Sequence, residues 1–236
     1  MNSKIKQRIG SGIVADRVRF ALDVIDLDDS KTILDIGSWH LNQSIEFSSI
    51  FPDANIYAFE PVPASFNNCF QKALTRPNIS VYNLALSDFT GEGSFYAVDP
   101  NQSTVPNVGA SSLLPFKEGM NGSFFNEVWV QKEIKTKIST LDAWCRTNDI
   151  EGIDIIWIDA QGAELKVFQG GDKMLEKTKI IFTEVGLKAY YEGHSLKPDI
   201  DAFLEGKGFQ ELTESFELNG FDYEGNTIYV NKEYLK

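Results

Sequence analysis

The residues best suited to chemistry in this chain are acidic or small, and they fall where short apolar runs end. Asp35, Gly37 and Ser38 close the run from Thr32. Glu60 and Pro61 follow Asn55 to Phe59. Ser87 and Asp88 follow Ile79 to Leu84. Asp159 and Glu164, with Gln161 and Gly162 between them, follow Ile153 to Ile158, and Glu184 and Gly186 end the run from Ile180. If each run is a strand of an open parallel sheet, these positions share the carboxyl edge where such sheets bind ligands. Glu60 is the sharpest of them. A carboxylate at the end of a second strand, after a glycine turn on the first, can accept both hydroxyls of a ribose through two charge-assisted bonds. Gly37 lets the backbone come close to a ligand, and Asp35 is placed to orient that turn or a ligand's amino group. The two histidines are His40, in the turn after the first run, and His194, in a loop with Tyr190 and Tyr191 that can reach the same edge. Histidine is the most frequent general base near neutral pH. Ser111 and Ser112 are candidate ligand contacts, Tyr190, Tyr191 and Trp129 are candidate pocket walls, and Cys69 shares a helix face with Phe66 and Phe70 as core.

The elements that must carry these residues are readable from periodicity. Val14, Val18, Ala21, Leu22 and Ile25 predict an amphipathic helix over 13–26. Helices over 43–51 and 66–74 separate three strands at 32–36, 55–59 and 79–84. This βαβαβ pattern predicts a parallel sheet covered on both faces. From Phe89 to Gly152 the pattern changes, with strands at 94–98 and 127–137 around a polar loop at 100–120. Ser139 and Asp142 predict a capping box that opens a short helix at 140–148. Nearly unbroken apolar runs at 153–158 and 180–185 predict central strands, with Gly170-Gly171 stopping the helix between them. Pro198 opens a last helix, and 209–216 with 227–230 form a closing antiparallel pair. The expectation is one doubly wound α/β domain over 1–236 with a β-rich insertion at about 89–150.

The chain has 236 residues, with 22 Lys plus Arg against 34 Asp plus Glu, a formal net charge of −12. That balance argues against a protein that grips nucleic-acid backbones. Two cysteines, Cys69 and Cys145, form neither a zinc spacing nor a disulfide framework. Met1 to Gly12 lacks the apolar segment of a signal peptide, and no run is long enough to cross a bilayer, so a cytoplasmic protein without membrane contact is expected.

Five blocks carry a family likeness. Leu34-Asp35-Ile36-Gly37, Ala58-Phe59-Glu60-Pro61, Asn83-Leu84-Ala85-Leu86-Ser87-Asp88, Gly109-Ala110-Ser111-Ser112-Leu113 and Ile158-Asp159-Ala160-Gln161-Gly162-Ala163-Glu164-Leu165 resemble, in order and spacing, the FkbM-type methyltransferases. The resemblance runs from about 31 to 186. It implies a Rossmann-like, mostly parallel seven-stranded methyltransferase sheet with its last strand antiparallel, and S-adenosylmethionine as cofactor. It implies Asp35, Gly37 and Ser38 beside the methionine end, Glu60 with Pro61 at the ribose, and Ser87 with Asp88 near the adenine. It implies O-methylation of a hydroxyl on a sugar, glycan or secondary metabolite. The family's first loop reads Asp-x-Gly-Ala-Asn-x-Gly, whereas Trp39 and Leu41 stand at its Asn and second Gly. The family's Lys-Ile-Asp-x-Glu-Gly has Trp157 and Gln161 at its two charged positions. A side chain at Leu41 is expected to limit how closely the backbone approaches a ligand.

Methyl transfer from a sulfonium is an in-line displacement that needs alignment and, for a hydroxyl acceptor, a base or a metal. Asp159 is placed to face the methyl group. Glu164, Glu184 and His194 are the companions that orient it or share its proton, and the carboxylates are a possible ligand set for a divalent cation, although no metal ligand is assigned. Two rival readings remain. A dinucleotide oxidoreductase requires a G-x-G-x-x-G turn that residues 37–42 lack. A non-catalytic nucleoside- or partner-binding member of the fold is favoured by the altered first loop.

Overall fold

The computed structural model describes residues 5–104, 107–118, 128–219 and 223–236. Helix α1 is Ile13–Ala21, followed by strand β1, Thr32–Ile36, α2, Asn42–Ile50, β2, Asn55–Phe59, α3, Pro63–Ala73, and β3, Ile79–Tyr82. Strands β4, Ala85–Leu86, β5, Gly91–Val98, and β6, Gln131–Ser139, come next. They lead into α4, Leu141–Thr147, β7, Ile153–Ile158, α5, Glu164–Gln169, α6, Asp172–Leu175, and β8, Thr178–Gly186. The chain ends through α7, Lys197–Gly206, β9, Phe209–Glu211, β10, Glu217–Leu218, and β11, Glu224–Asn231.

The central sheet runs β3-β2-β1-β7-β8-β11, with β9 and β10 both paired to β11. Strands β1, β2, β3, β7 and β8 run parallel to one another, and β11 is antiparallel to β8. The strand expected over 209–216 is split in two, whereas the last, antiparallel strand is the unbroken β11. A 3-10 turn at Thr213–Ser215 interrupts the 209–216 stretch, and the serine turns inward, its hydroxyl accepting from Ile228 N at 2.9 Å and sharing a hydrogen bond with the Thr227 hydroxyl on β11. Within each central strand, neighbouring residues go to opposite faces, as a pleat of period two requires. Ile33, Ile155 and Ile180 join the core under α1 and α2, while Leu34, Ile156 and Ile181 join the one under α4, α5 and α7.

Several expected boundaries, and one expected cap, differ in the structure. The helix predicted over 13–26 stops at Ala21, although Leu22 and Ile25 are buried as foreseen, because Ile25 is taken into an antiparallel bridge with Leu235. The strand predicted to Leu84 ends at Tyr82. Asn83 turns to donate its amide to the Glu60 and Pro61 carbonyls, and Ala85 and Leu86 then pair with β6 in a second, three-stranded sheet. The predicted Ser139/Asp142 box does not form. Thr140 caps α4 by accepting from Ala143 N, while the Asp142 carboxylate accepts from Lys173 N and Met174 N and so caps α6. The inserted strand expected from Glu127 begins at Gln131 in the structure, and Glu127 itself lies outside the described residues. Strands β5 and β6 form the long antiparallel pair of the insertion. Among the described residues, no helix is long and apolar enough to cross a membrane.

Candidate active site

The carboxyl ends of β2, β1, β7 and β8 and the start of β11 meet along one edge, beneath the 3-10 turn Val108–Ala110 of the insertion, and enclose a cavity of about 450 Å³. Gly37 makes the floor possible. Its φ of +85° suits a residue without a side chain, and a Cβ there would overlap the Asp159 carbonyl oxygen. The turn is stitched to the neighbouring strand ends: Gly37 N and Ser38 N donate to Phe59 O at 3.1 and 3.0 Å, and Asp159 N donates to Ile36 O at 3.0 Å.

Glu60 sits in the wall at the β2 end, only 5% exposed. Its Oε2 accepts from Trp39 N at 2.9 Å and its Oε1 from Val62 N at 2.8 Å. Each carboxylate oxygen has two lone pairs, so one remains on each for a ligand. Burial pushes the Glu60 carboxyl up to about 7, against the pull of those two amides. Beside it, Leu84, Leu86 and Phe95 give the cavity an apolar flank that suits a nucleobase. A buried carboxylate next to an apolar flank fits the ribose and base of S-adenosylmethionine.

Under β7 and β8 the cavity wall is a network of acids and amides. Gln161 Nε2 donates to Asp159 Oδ1 at 2.7 Å and to Glu184 Oε2 at 3.0 Å. Gln161 Oε1 accepts from the Tyr191 hydroxyl at 2.9 Å, and its backbone oxygen accepts from Ser112 Oγ at 2.8 Å. Asn219 donates to Glu184 Oε1 at 2.6 Å. Burial raises Asp159, and it raises Glu184 well above the usual carboxylate range, with the Asp159 charge adding to it. Glu164 is buried, with Oε1 accepting from Ala160 N at 2.8 Å and Gly162 N at 3.3 Å, and burial pushes it up to about 7. It fixes the turn that presents Gln161, a non-glycine residue at φ +51°.

Of the residues singled out from sequence, Gly37, Glu60, Pro61, Asp159, Glu164, Glu184 and His194 line this cavity. Asp35, Ser38, Ser87 and Asp88 do not. Asp35 is buried behind the turn, where its Oδ2 accepts from Ser44 N and Ser44 Oγ and ties down α2. Ser38 donates to Phe59 O. Ser87 bonds Asp88, which meets the Lys166 ammonium at 3.5 Å on the surface of α5. His194 lines the cavity as a wedge: a Cβ at Gly162 or Gly186 would strike its ring. Its Nδ1 already accepts from Tyr190 N at 3.3 Å, and burial pushes its pKa down to about 4, so it is a poor base. His40 stacks on Trp39 outside the cavity, with ring centroids 4.0 Å apart.

The expectation that Leu41 crowds the ligand is corrected. Its backbone takes the left-handed conformation, φ +66°, that a glycine would supply, while its side chain is fully buried in the core below α2 and does not line the cavity. Trp39 does line it and packs on Gly109 of the roof. The divalent cation entertained from sequence finds no support. Among the described residues, no group of three or more acids, histidines or cysteines is arranged to hold one, and the Gln161 amide occupies the space between the two nearest carboxyls. Sequence reasoning passed over Gln161, Glu224 and Asn219 as site residues. Gln161 was visible as a departure from a family glutamate, whereas the other two are brought in only by the pairing of β11 and β10.

A carboxylate on β2, a glycine turn on β1 and an acid on β7, at the edge of a sheet in this order, define the class I methyltransferase architecture. The chain matches the methyltransferase FkbM domain over residues 36–211 and belongs to that family of S-adenosylmethionine-dependent methyltransferases. It is 30% identical over 186 residues to the 2-O-methyltransferase NoeI of Sinorhizobium fredii, covering 79% of this chain and 72% of that protein. It is 27% identical over 203 residues to methyltransferase sdnD of Sordaria araneosa, covering 79% and 76%. Among solved structures, a precorrin-6y C5,15-methyltransferase from Geobacter metallireducens superposes with a TM-score of 0.47 and 14% identity, over 95% of this chain and 92% of that one.

Proposed function

We propose that this methyltransferase acts on a hydroxyl of a sugar, glycan or related secondary metabolite. The observation that carries this reading is the buried Asp159–Glu184 pair, bridged by Gln161 in the wall of the cavity that Glu60 also lines. A hydroxyl is a weak nucleophile until its proton has somewhere to go. Glu60 holds the ribose of S-adenosylmethionine, and Gly37 leaves room at the turn beneath it. The bound cofactor supplies an electrophilic methyl group. Asp159, ionised, would take the acceptor's hydroxyl proton as that oxygen displaces the sulfonium in line, the methyl–sulfur bond breaking with its electron pair going to sulfur and S-adenosylhomocysteine leaving. Glu184, which burial and the Asp159 charge push toward its protonated form, shares the Gln161 amide with Asp159. Gln161 fixes the facing oxygens of both. His194 takes no proton in this scheme. The names of the two curated relatives support the reading: one is a 2-O-methyltransferase and the other a methyltransferase. The test is transfer of labelled methyl from S-adenosylmethionine to a panel of hydroxylic acceptors, with the product's methyl located by NMR. A methyl ether is expected. A methyl group found on nitrogen, carbon or sulfur would contradict it.

A further inference from the structure

We propose that the acceptor carries no negative charge, being a neutral or amino sugar, and that it binds where Glu184 and Glu224 face Tyr190 and Tyr223. The inference rests on the sugar-hydroxyl reading above. Its first ground is the order of the sheet. Glu60, Gly37 and Asp159 directly follow β2, β1 and β7, Glu184 lies near the end of β8 and Glu224 opens β11, five adjacent strands. At about 4.8 Å per strand, the cavity edge from Glu60 to Glu224 is about 19 Å long. A nucleoside held at Glu60 fills one end, and the methyl-transfer acid Asp159 stands midway. The far end is left for the acceptor.

The second ground is the charge of the lining. Five of its side chains are carboxyls: Glu60, Asp159, Glu164, Glu184 and Glu224. None of the described lining residues is Lys or Arg. The stretches 105–106, 119–127 and 220–222 contain no Lys or Arg either. S-adenosylmethionine itself brings a sulfonium, an ammonium and a carboxylate, a net of one positive charge, and the described lining adds no cation to it. A uronate, phosphate or sulfate on the acceptor would lose its hydration and meet like charge without a counter-ion, which is strongly unfavourable. A neutral polyol finds carboxyl oxygens there, and an amino group finds acids. The rings suit the C–H faces of a sugar. Tyr190 and Tyr223 are edge to face with centroids 4.7 Å apart, and Tyr191 stacks on Phe116 of the insertion at 5.2 Å.

The experiment offers the protein tritium-labelled S-adenosylmethionine with matched methyl hexosides in three forms: plain, 2-amino and uronate. Transfer to the plain or 2-amino members is expected to exceed transfer to the uronates by about tenfold or more, the scale of one unfavourable charge contact. Glu224→Lys is expected to narrow or reverse that ratio, and Glu224→Gln to fall between. Binding of S-adenosylhomocysteine checks that both variants are folded. Uronates used as well as the plain sugars would overturn the charge proposal while leaving the sugar-hydroxyl reading standing. A ratio unmoved in a folded Glu224→Lys would overturn the placement at Glu224. Cofactor binding with transfer to no hexoside of any form would overturn the sugar reading and this proposal with it.

Discussion

Gln161 gives both hydrogens of one amide to two buried carboxyls and takes the hydroxyl of Tyr191 on its oxygen, so each polar atom of its side chain is engaged. Its donated bond stabilises ionised Asp159 and lowers that pKa against the opposing push of burial. Gln161→Met removes the bond while keeping the length of the side chain. The Asp159 pKa then rises, and the acid limb of the kcat/KM profile moves to higher pH. A pH–rate series on an accepted sugar checks this, and an unmoved limb would exclude Asp159 as the base. At the other end of the cavity, Glu60→Gln keeps an acceptor oxygen for Val62 N or Trp39 N but loses the charge that strengthens ribose bonds. S-adenosylhomocysteine affinity is expected to fall by roughly 1.5–3 kcal/mol, read by calorimetry.

At the scale of elements, side chains near one helix do their work on another. Asp142 lies in the first turn of α4, where sequence spacing suggested a cap for that helix, yet its two oxygens cap α6 through Lys173 N and Met174 N. Asp142→Ala is expected to cost about 1–2 kcal/mol in a denaturant titration while leaving cofactor affinity unchanged. The same distinction explains what could be read from the chain alone. Strands β1, β2 and β7 were legible to the residue, because buried parallel strands are unbroken apolar runs closed by turn residues. The end of α1, the break between β3 and β4 and the split of β9 from β10 were not. Each is decided by a partner far along the chain: Leu235 for Ile25, β6 for Ala85, and β11 for Ser215. In the site, Glu60 and Asp159 were legible as strand-end acids. Asp88 was read as facing the same edge, but its carboxylate turns outward to Lys166, a choice made by packing rather than by local pattern.

Across the whole molecule, the acidic cavity shapes stability as well as specificity. Burial raises Glu60 and Glu164 to about 7 and Asp35 to about 6. The folded chain therefore holds protons that the unfolded chain releases near pH 4.5, and these groups favour folding more as pH falls from about 7 toward 4.5. His194 acts in the other direction. Its folded pKa of about 4 lies below its ordinary value of 6.5, so acidification through that window weakens the fold. Glu164→Gln retains an oxygen for Ala160 N and Gly162 N and removes the buried charge. The variant is expected to melt above the parent at pH 8, with the advantage shrinking as pH approaches 5. Calorimetric melting at the two pH values checks this, and an advantage that grows toward pH 5 would contradict the raised Glu164 pKa.

The central claim is that the edge of the sheet from Glu60 to Asp159 holds S-adenosylmethionine despite Trp39 and Leu41 in its first loop. Calorimetric titration of the purified chain with S-adenosylhomocysteine tests it most directly. Saturable micromolar binding is predicted, because Leu41 turns into the core and leaves the cavity open. Folded protein that takes up neither S-adenosylhomocysteine nor S-adenosylmethionine would contradict the account at its root.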